Sequence, residues 1–159
     1  MGLLIIECSS NIKADAEDRQ GIMESNMDEV ISVSNSSVRY YGMMVKTPRG
    51  LRGRVIINDV EVEKFDVSGS QISSNQPQCF LRVGVNTLKI DLDHLETIAV
   101  KHDDGVPIKI DFHAMDEPDF PDESNLFFTI NWSPEKAAEK TYRFVLANNQ
   151  KPVRTAICD

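Results

Sequence analysis

Short runs of β-branched and aromatic residues succeed one another along most of this chain, and they constrain the fold more than any other feature. Gly, Pro, Asn, Asp and Ser residues separate the runs, as they separate β-strands in all-β domains. The predicted strands cover residues 3–8, 29–34, 38–46, 51–58, 60–67, 79–83, 87–92, 96–101, 106–114, 126–132 and 142–147, with a further candidate near 153–158.

Several of these predicted strands alternate between apolar and polar residues. Apolar side chains occupy every second position in residues 87–92, and again in residues 108–112. Successive side chains of a strand point to opposite faces, so this alternation places one face on a core and the other in water. That arrangement is typical of antiparallel sheets.

The pattern for helix is confined to one short stretch. Ser133 can cap a helix, Pro134 suits its first turn, and good helix formers follow, so the sequence predicts a short helix near residues 134–140. Residues 9–28 are polar with few apolar positions, which predicts a long loop or a weak helix within the domain.

These elements predict an all-β fold, a single antiparallel β-sandwich or jelly roll with one short helix. The chain has 159 residues, enough for one hydrophobic core, so residues 1–159 are expected to form a single domain. Strands do not alternate with long helices, and this excludes a doubly wound nucleotide-binding fold.

One segment resembles known β-sandwich modules. The stretch Val55 to Val62, with Asn58-Asp59 at its centre, is followed by Leu81 to Ile90, which contains Gly84-Val85-Asn86. Residues 55–90 resemble the hairpin and return strand of galactose-binding-like and immunoglobulin-like modules, although Asp59 stands where those modules usually have glycine. The resemblance covers about a quarter of the chain and implies a fold class without a function.

The negative charge of the chain is concentrated in one region. The net charge is −8, and residues 102–124 contain eight carboxylates and one lysine, or −7. Within this region, residues 116–123 form an acidic loop stiffened by two prolines. Such a loop can be a solvated surface loop, a contact for a basic protein partner or a calcium site, although the spacing does not match an EF-hand. Its five carboxylates belong to Asp116, Glu117, Asp119, Asp122 and Glu123.

A basic stretch spans the predicted turn between the strands at residues 38–46 and 51–58. Residues 46–54 contain four cationic side chains and no acidic one, among them Arg49, Arg52 and Arg54. They can bind phosphate or an acidic surface. The alternatives are a solvated turn, or a partner for the acidic loop within the chain or in another subunit.

The histidines suggest a metal site. His94, His102 and His113 lie near several aspartates, and Asp111 and His113 share one face of a predicted strand. Asp104, Asp111 and His113 are the candidate ligands for zinc, non-haem iron or another divalent cation. The alternative is that Asp111 and His113 are exposed polar side chains on the outer face.

The cysteines and the N-terminal region bear on location. Cys8, Cys79 and Cys158 are odd in number and widely spaced, which predicts unpaired thiols in a reducing cytoplasm. The apolar run 3–6 is too short to span a membrane and has no features of a signal peptide. We therefore expect a cytoplasmic protein without a membrane partner. The net negative charge also disfavours nucleic acid as a partner.

These observations predict a non-catalytic binding module that acts through the acidic loop, such as an acidic inhibitor, an immunity-type protein or an assembly protein. The expected partner is a basic protein, and self-association into a homo-oligomer is also allowed. No residue is assigned a catalytic role, and no cofactor is expected beyond the candidate cation. The alternative is a cation-dependent hydrolase or a carbohydrate-acting protein on a jelly-roll scaffold.

Overall fold

A computed structural model describes residues 28–34, 36–93, 106–134 and 137–159. Within these ranges the chain forms nine strands in two sheets. The strands are β1 (Glu29–Val30), β2 (Tyr40–Thr47), β3 (Gly53–Ile57), β4 (Val60–Phe65), β5 (Ser70–Ser74), β6 (Gly84–Leu92), β7 (Ile108–Met115), β8 (Leu126–Trp132) and β9 (Glu139–Leu146).

The two sheets have five and four strands, in the orders β1-β9-β6-β3-β4 and β5-β2-β7-β8. Every described pair of neighbouring strands is antiparallel except β1 and β9, which run parallel. The predicted all-β sandwich with antiparallel strands is therefore confirmed.

The core lies between the inner faces of the two sheets. Phe112 of β7 stacks on Phe128 of β8, with ring centroids 4.9 Å apart, and both rings contact Phe144 of β9 in the other sheet at 5.6 and 5.1 Å. Phe112 and Phe144 are fully buried. These aromatic contacts join the sheets because each strand directs alternate side chains inward.

The predicted strands at residues 51–58 and 60–67 are joined by a tight turn at Asn58-Asp59. Both residues have positive φ angles, 47° and 69°, as the tight turn between β3 and β4 requires. The Asn58 side chain donates to Asn86 Oδ1 at 2.8 Å and accepts from the Thr87 amide at 3.0 Å. The hairpin is thereby attached to β6, the next strand in the sheet.

The helix predicted near residues 134–140 is wrong. Pro134, Ala137 and Ala138 are not helical, and β9 already begins at Glu139. Pairing with β6 overrides the local preference, since the Leu92 amide donates to the Ala138 carbonyl at 2.8 Å and Lys89 forms an ion pair with Glu139 at 2.5 Å. The one α-helix of the described residues is α1 (Pro77–Phe80).

Three further predictions differ from the structure. Residues 79–83 are not a strand, because α1 and a loop occupy this stretch. Residues 153–158 end in a 3-10 turn, Ala156–Cys158, instead of a strand. Conversely, β5 pairs with β2 in a stretch for which no strand is predicted. The predictions for residues 3–8, 9–27 and 96–101 lie outside the described residues.

The prediction of unpaired thiols is wrong for two of the three cysteines. Cys79 in α1 and Cys158 near the C-terminus form a disulfide. They are 79 residues apart in sequence, but the fold brings α1 against the Ala156–Cys158 turn. Wide spacing did not argue against pairing, because a disulfide depends on spatial proximity. Cys8 lies outside the described residues.

Candidate functional site

The acidic loop, residues 116–123, connects β7 to β8. Its carboxylates and Phe120 are all exposed, and a 3-10 turn, Glu123–Asn125, follows it. The loop begins where the last residue of β7, Met115, pairs with the first residue of β2, Tyr40. It therefore lies at one end of the four-stranded sheet.

Two of the five carboxylates hold the loop in shape. Asp119 Oδ1 accepts a hydrogen bond from the Phe120 amide at 2.7 Å. Asp122 Oδ1 caps the following turn by accepting from the Ser124 amide at 2.7 Å. The hydrogen bonds from Ser124 lower the pKa of Asp122. In contrast, the carboxylates of Asp116, Glu117 and Glu123 make no hydrogen bond or ion pair with any described residue, so they are available to a partner.

Asn125 ties the loop to the sheet. Its Nδ2 donates to the Phe120 carbonyl at 3.0 Å, and its Oδ1 accepts from the Asp122 amide at 3.0 Å and contacts His113 Nδ1 at 2.8 Å. A backbone amide can only donate, so the atom it meets must be the amide oxygen, and His113 must carry a hydrogen on Nδ1. Among the described residues, His113 Nε2 is buried without a hydrogen-bond partner.

The loop also packs against β2. A Cβ atom added at Gly42 would lie 3.1 Å from Pro121 Cγ and 2.9 Å from Asn75 Oδ1. Only glycine leaves room for so close an approach of the loop to the strand. The acidic loop is therefore held against the outer face of the sheet.

The predicted exposure of Asp111 and His113 is wrong, although their common face is confirmed. Both lie on the outer face of β7, yet Asp111 is 7% and His113 is 4% exposed. His113 is buried because the loop folds back over it and hydrogen-bonds to it through Asn125. Asp111 is enclosed by the polar partners that it binds on β7 and β8.

Asp111 and His113 belong to separate polar networks. Asp111 accepts from Thr129 Oγ1 at 2.7 Å and pairs with Lys109 Nζ at 2.8 Å. Burial raises the pKa of Asp111, but the hydrogen bonds from Lys109 and Thr129 outweigh it and lower the pKa overall. Asp104, the third candidate ligand, lies outside the described residues, and within them no group of three His, Cys, Asp or Glu side chains could hold a metal ion.

Phe120 is the feature of the loop that sequence reasoning missed. Its side chain is 83% exposed, the largest exposure among the large apolar residues that the structure describes as exposed. The available signal was an aromatic residue between two prolines within an acidic run, outside any predicted strand. Exposed aromatic residues on rigid loops are characteristic of protein contacts.

The basic residues lie at the other end of β2. Arg49 and Arg52 are exposed, whereas Arg54 donates from Nη2 to Asp91 at 2.7 Å and also faces Glu61 at 3.8 Å. The hydrogen bond with Asp91 raises the pKa of Arg54. Arg52 and Arg54 line a cavity of about 610 Å³ between the edges of the two sheets, together with Lys64, Asp66 and Asp93 among others.

The acidic loop and the basic stretch do not pair within the chain. The loop is next to Tyr40, whereas the basic stretch begins at Lys46, beside Thr47, which pairs with Ser70 at the far end of β2. The seven residue-to-residue steps from Tyr40 to Thr47 separate the two ends by roughly 23 Å. The loop therefore retains its charge for an external partner.

Comparison with family models, with curated proteins and with solved structures finds no match for this chain. In the described ranges, no helix is long and apolar enough to cross a membrane.

Proposed function

We propose that this protein is a non-catalytic binding module that captures a basic protein partner through the acidic loop. The observation that carries the proposal is Phe120, which is 83% exposed in the middle of a loop whose backbone is held by Asn125. Exposing a phenylalanine to water is unfavourable, and covering it with a partner would recover roughly 1.5–3 kcal/mol.

The hydrogen bonds of the loop support this role. Asp119 and Asn125 bind loop backbone and Asp122 binds the backbone of the turn that follows, so the loop does not have to become ordered when a partner arrives. Preorganisation of this kind lowers the entropy cost of association. A rigid aromatic side chain surrounded by polar groups is also the usual form of an interface hot spot.

The charge distribution supports a basic partner. Residues 102–124 carry −7 of the net charge of −8, and the exposed carboxylates flank Phe120 on both sides. Such a field accelerates association with a positively charged surface and disfavours acidic competitors. An inhibitor that covers a basic protein and a subunit that recruits one into an assembly would both use this capture step.

Affinity capture from host lysate with quantitative mass spectrometry tests the proposal. The loop variant Asp116→Asn/Glu117→Gln/Glu123→Gln removes three charges that have no structural partner among the described residues. The matched control Asp59→Asn/Asp93→Asn/Asp159→Asn removes three exposed charges elsewhere. We expect the amount of captured partner to fall at least tenfold for Phe120→Ala and for the loop variant. The control variant should capture as much partner as the wild type does.

Two results would count against the loop as the binding site. One is capture that survives both Phe120→Ala and the loop variant. The other is an equal loss in the control variant, which would indicate a response to total charge. Thermal unfolding of each variant, expected within a few degrees of the wild type, ensures that lost capture does not reflect lost folding.

The cytoplasmic location expected from the sequence depends on reduced cysteines, whereas a disulfide such as Cys79–Cys158 is typical of oxidising compartments. Thiol labelling of acid-quenched cells distinguishes a reducing cytoplasm from an oxidising compartment. Labelling of Cys79 and Cys158 before reduction supports the cytoplasm, and labelling only after reduction supports an oxidising compartment.

A further inference from the structure

We propose that a cavity beside the acidic loop receives one arginine side chain of the partner. This inference rests on the proposed function and names the chemical group that the partner contributes. The cavity has a volume of about 200 Å³ and lies where the loop, the start of β2, α1 and the C-terminal turn meet. The side chains that matter for the inference are Tyr40, Asn75, Met115, Pro118, Asp119 and Ile157.

The size of the cavity favours a single side chain over a whole ligand. Sites for drug-sized molecules usually enclose about 300–1,000 Å³. A cavity of about 200 Å³ is smaller, and it opens beside the loop that we assign to partner binding. A partner protein that contacts Phe120 would bring its own surface side chains to the mouth of this cavity.

The walls of the cavity combine apolar surface with hydrogen-bond acceptors that have no partner among the described residues. Met115, Pro118 and Ile157 provide apolar contacts for a long aliphatic stem. Asp119 uses Oδ1 to bind the Phe120 amide, which orients the carboxylate, while its Oδ2 has no partner among the described residues. Asn75 likewise makes no side-chain hydrogen bond with a described residue. Of the described residues that line the cavity, none is cationic, so an incoming positive charge would be unopposed.

These groups suit a guanidinium better than an ammonium ion. The planar guanidinium presents several donors at once, and the Asp119 carboxylate and the Asn75 amide oxygen are both acceptors among the residues that line the cavity. Tyr40, which is half-buried, offers an aromatic surface against which a guanidinium can stack. Arginine is also enriched in protein interfaces, in which lysine is depleted.

The wall opposite the loop is held by the disulfide and by polar contacts. Ile157 precedes Cys158, which is bonded to Cys79, the residue after Gln78. The Gln78 side chain donates from Nε2 to the carbonyls of Arg39 and Val153, and the Val153 amide donates to the Arg39 carbonyl at 3.0 Å. The cavity is therefore preformed, which lowers the cost of filling it.

The test is an NMR titration of the isotope-labelled full chain with N-acetyl-L-arginine amide. The comparison probes are the citrulline analogue, which has nearly the same shape without the charge, and the lysine analogue. We expect saturable shifts at Tyr40, Asn75 and Ile157 with a midpoint in the millimolar range. The citrulline and lysine analogues should bind at least fivefold more weakly.

Two matched loop variants test whether Asp119 supplies the carboxylate that binds the arginine probe. Asp119→Asn keeps an oxygen that can accept from the Phe120 amide, so the loop should stay folded while arginine affinity falls at least fivefold. Glu117→Gln removes a charge from the same loop at a residue that does not line the cavity, and affinity should change less than twofold. Equal loss in both variants would overturn the assignment to Asp119.

Other outcomes also overturn the inference. Absence of saturable shifts in the cavity rejects the arginine site, and equal binding of the citrulline or lysine analogue rejects the guanidinium as the recognised group. The titration does not involve the natural partner, so its failure leaves the dependence of capture on Phe120 standing. Conversely, capture that survives both Phe120→Ala and the loop variant would reject the proposed function, and the titration would still test the cavity.

Discussion

His113 on β7 donates its Nδ1 hydrogen to Asn125 Oδ1 across 2.8 Å, and Asn125 in turn holds the backbone of Phe120 and Asp122. This contact links a buried histidine of the sheet to the loop that carries Phe120, the most exposed aromatic side chain of the described residues. The Asn125 side chain therefore helps to set the conformation of the proposed binding loop, together with Asp119 and Asp122.

Substitution of Asn125 should loosen the loop without unfolding the domain. Asn125→Ala leaves the buried His113 donor unpaired and removes the bonds to Phe120 and Asp122, so we expect a loss of about 1–3 kcal/mol in urea unfolding. Hydrogen exchange at residues 119–124 should accelerate. Asn131→Ala, at an exposed position on β8, the strand that follows Asn125, is the control and should change neither measurement. Unaltered exchange in Asn125→Ala would contradict the anchoring role.

The lowered pKa of Asp111 predicts a specific loss of stability in acid. Its carboxylate is stabilised by Lys109 and Thr129 in the folded state, so its contribution is present above the unfolded value of about 3.9 and is lost as pH falls through the lower folded pKa. We expect the free energy of unfolding of the wild type to decline over this window. Asp111→Asn should show a shallower decline, and Asp116→Asn, exposed and without a described partner, should follow the wild type.

The disulfide should stabilise the domain and hold the C-terminal wall of the arginine cavity. Cys158→Ser, or reduction of the wild type, should cost about 2–4 kcal/mol. Reduction should also lower the affinity of the cavity for N-acetyl-L-arginine amide. The effect of reductant on the melting temperature should disappear in Cys158→Ser and persist in Cys8→Ser. A melting temperature that does not respond to reductant would show that Cys79 and Cys158 are not paired.

Two glycines allow close contacts of different kinds. In Gly42→Ala the new Cβ meets two side-chain atoms, Asn75 Oδ1 and Pro121 Cγ, and lies 3.3 Å from the Ser74 carbonyl oxygen, so we expect a cost of about 1–3 kcal/mol and faster exchange in the acidic loop. In Gly53→Ala the Cβ would lie 2.3 Å from the Asp91 carbonyl oxygen on the neighbouring strand. This substitution should lower global stability more than Gly42→Ala does. The reverse order would contradict the packing of β3 against β6.

Local pattern was sufficient for some elements of the fold. The strand predicted at residues 126–132 coincides with β8, and the turn at Asn58-Asp59 has the backbone conformation that its sequence favours. In contrast, residues 137–140 are good helix formers, yet they lead into and begin β9, because pairing with β6 outweighs a preference of a few tenths of a kcal/mol per residue.

The candidate site was only partly visible in the sequence. The clustered carboxylates of the acidic loop and the common face of Asp111 and His113 follow from spacing alone. The burial of His113 does not, because it depends on a loop that returns over the strand and binds it through Asn125. The cavity beside Asp119 was also not visible, since its walls come from four separate parts of the chain.

The amino-acid sequence by itself determined the strand-rich character, the tight turns and the location of the charge, because these depend on residues within a few positions of one another. Only the tertiary structure decided that Cys79 meets Cys158, that His113 is buried and that Phe120 is left in water. Each of these depends on contacts between segments that are distant in sequence, and such contacts are set by the packing of the whole sandwich.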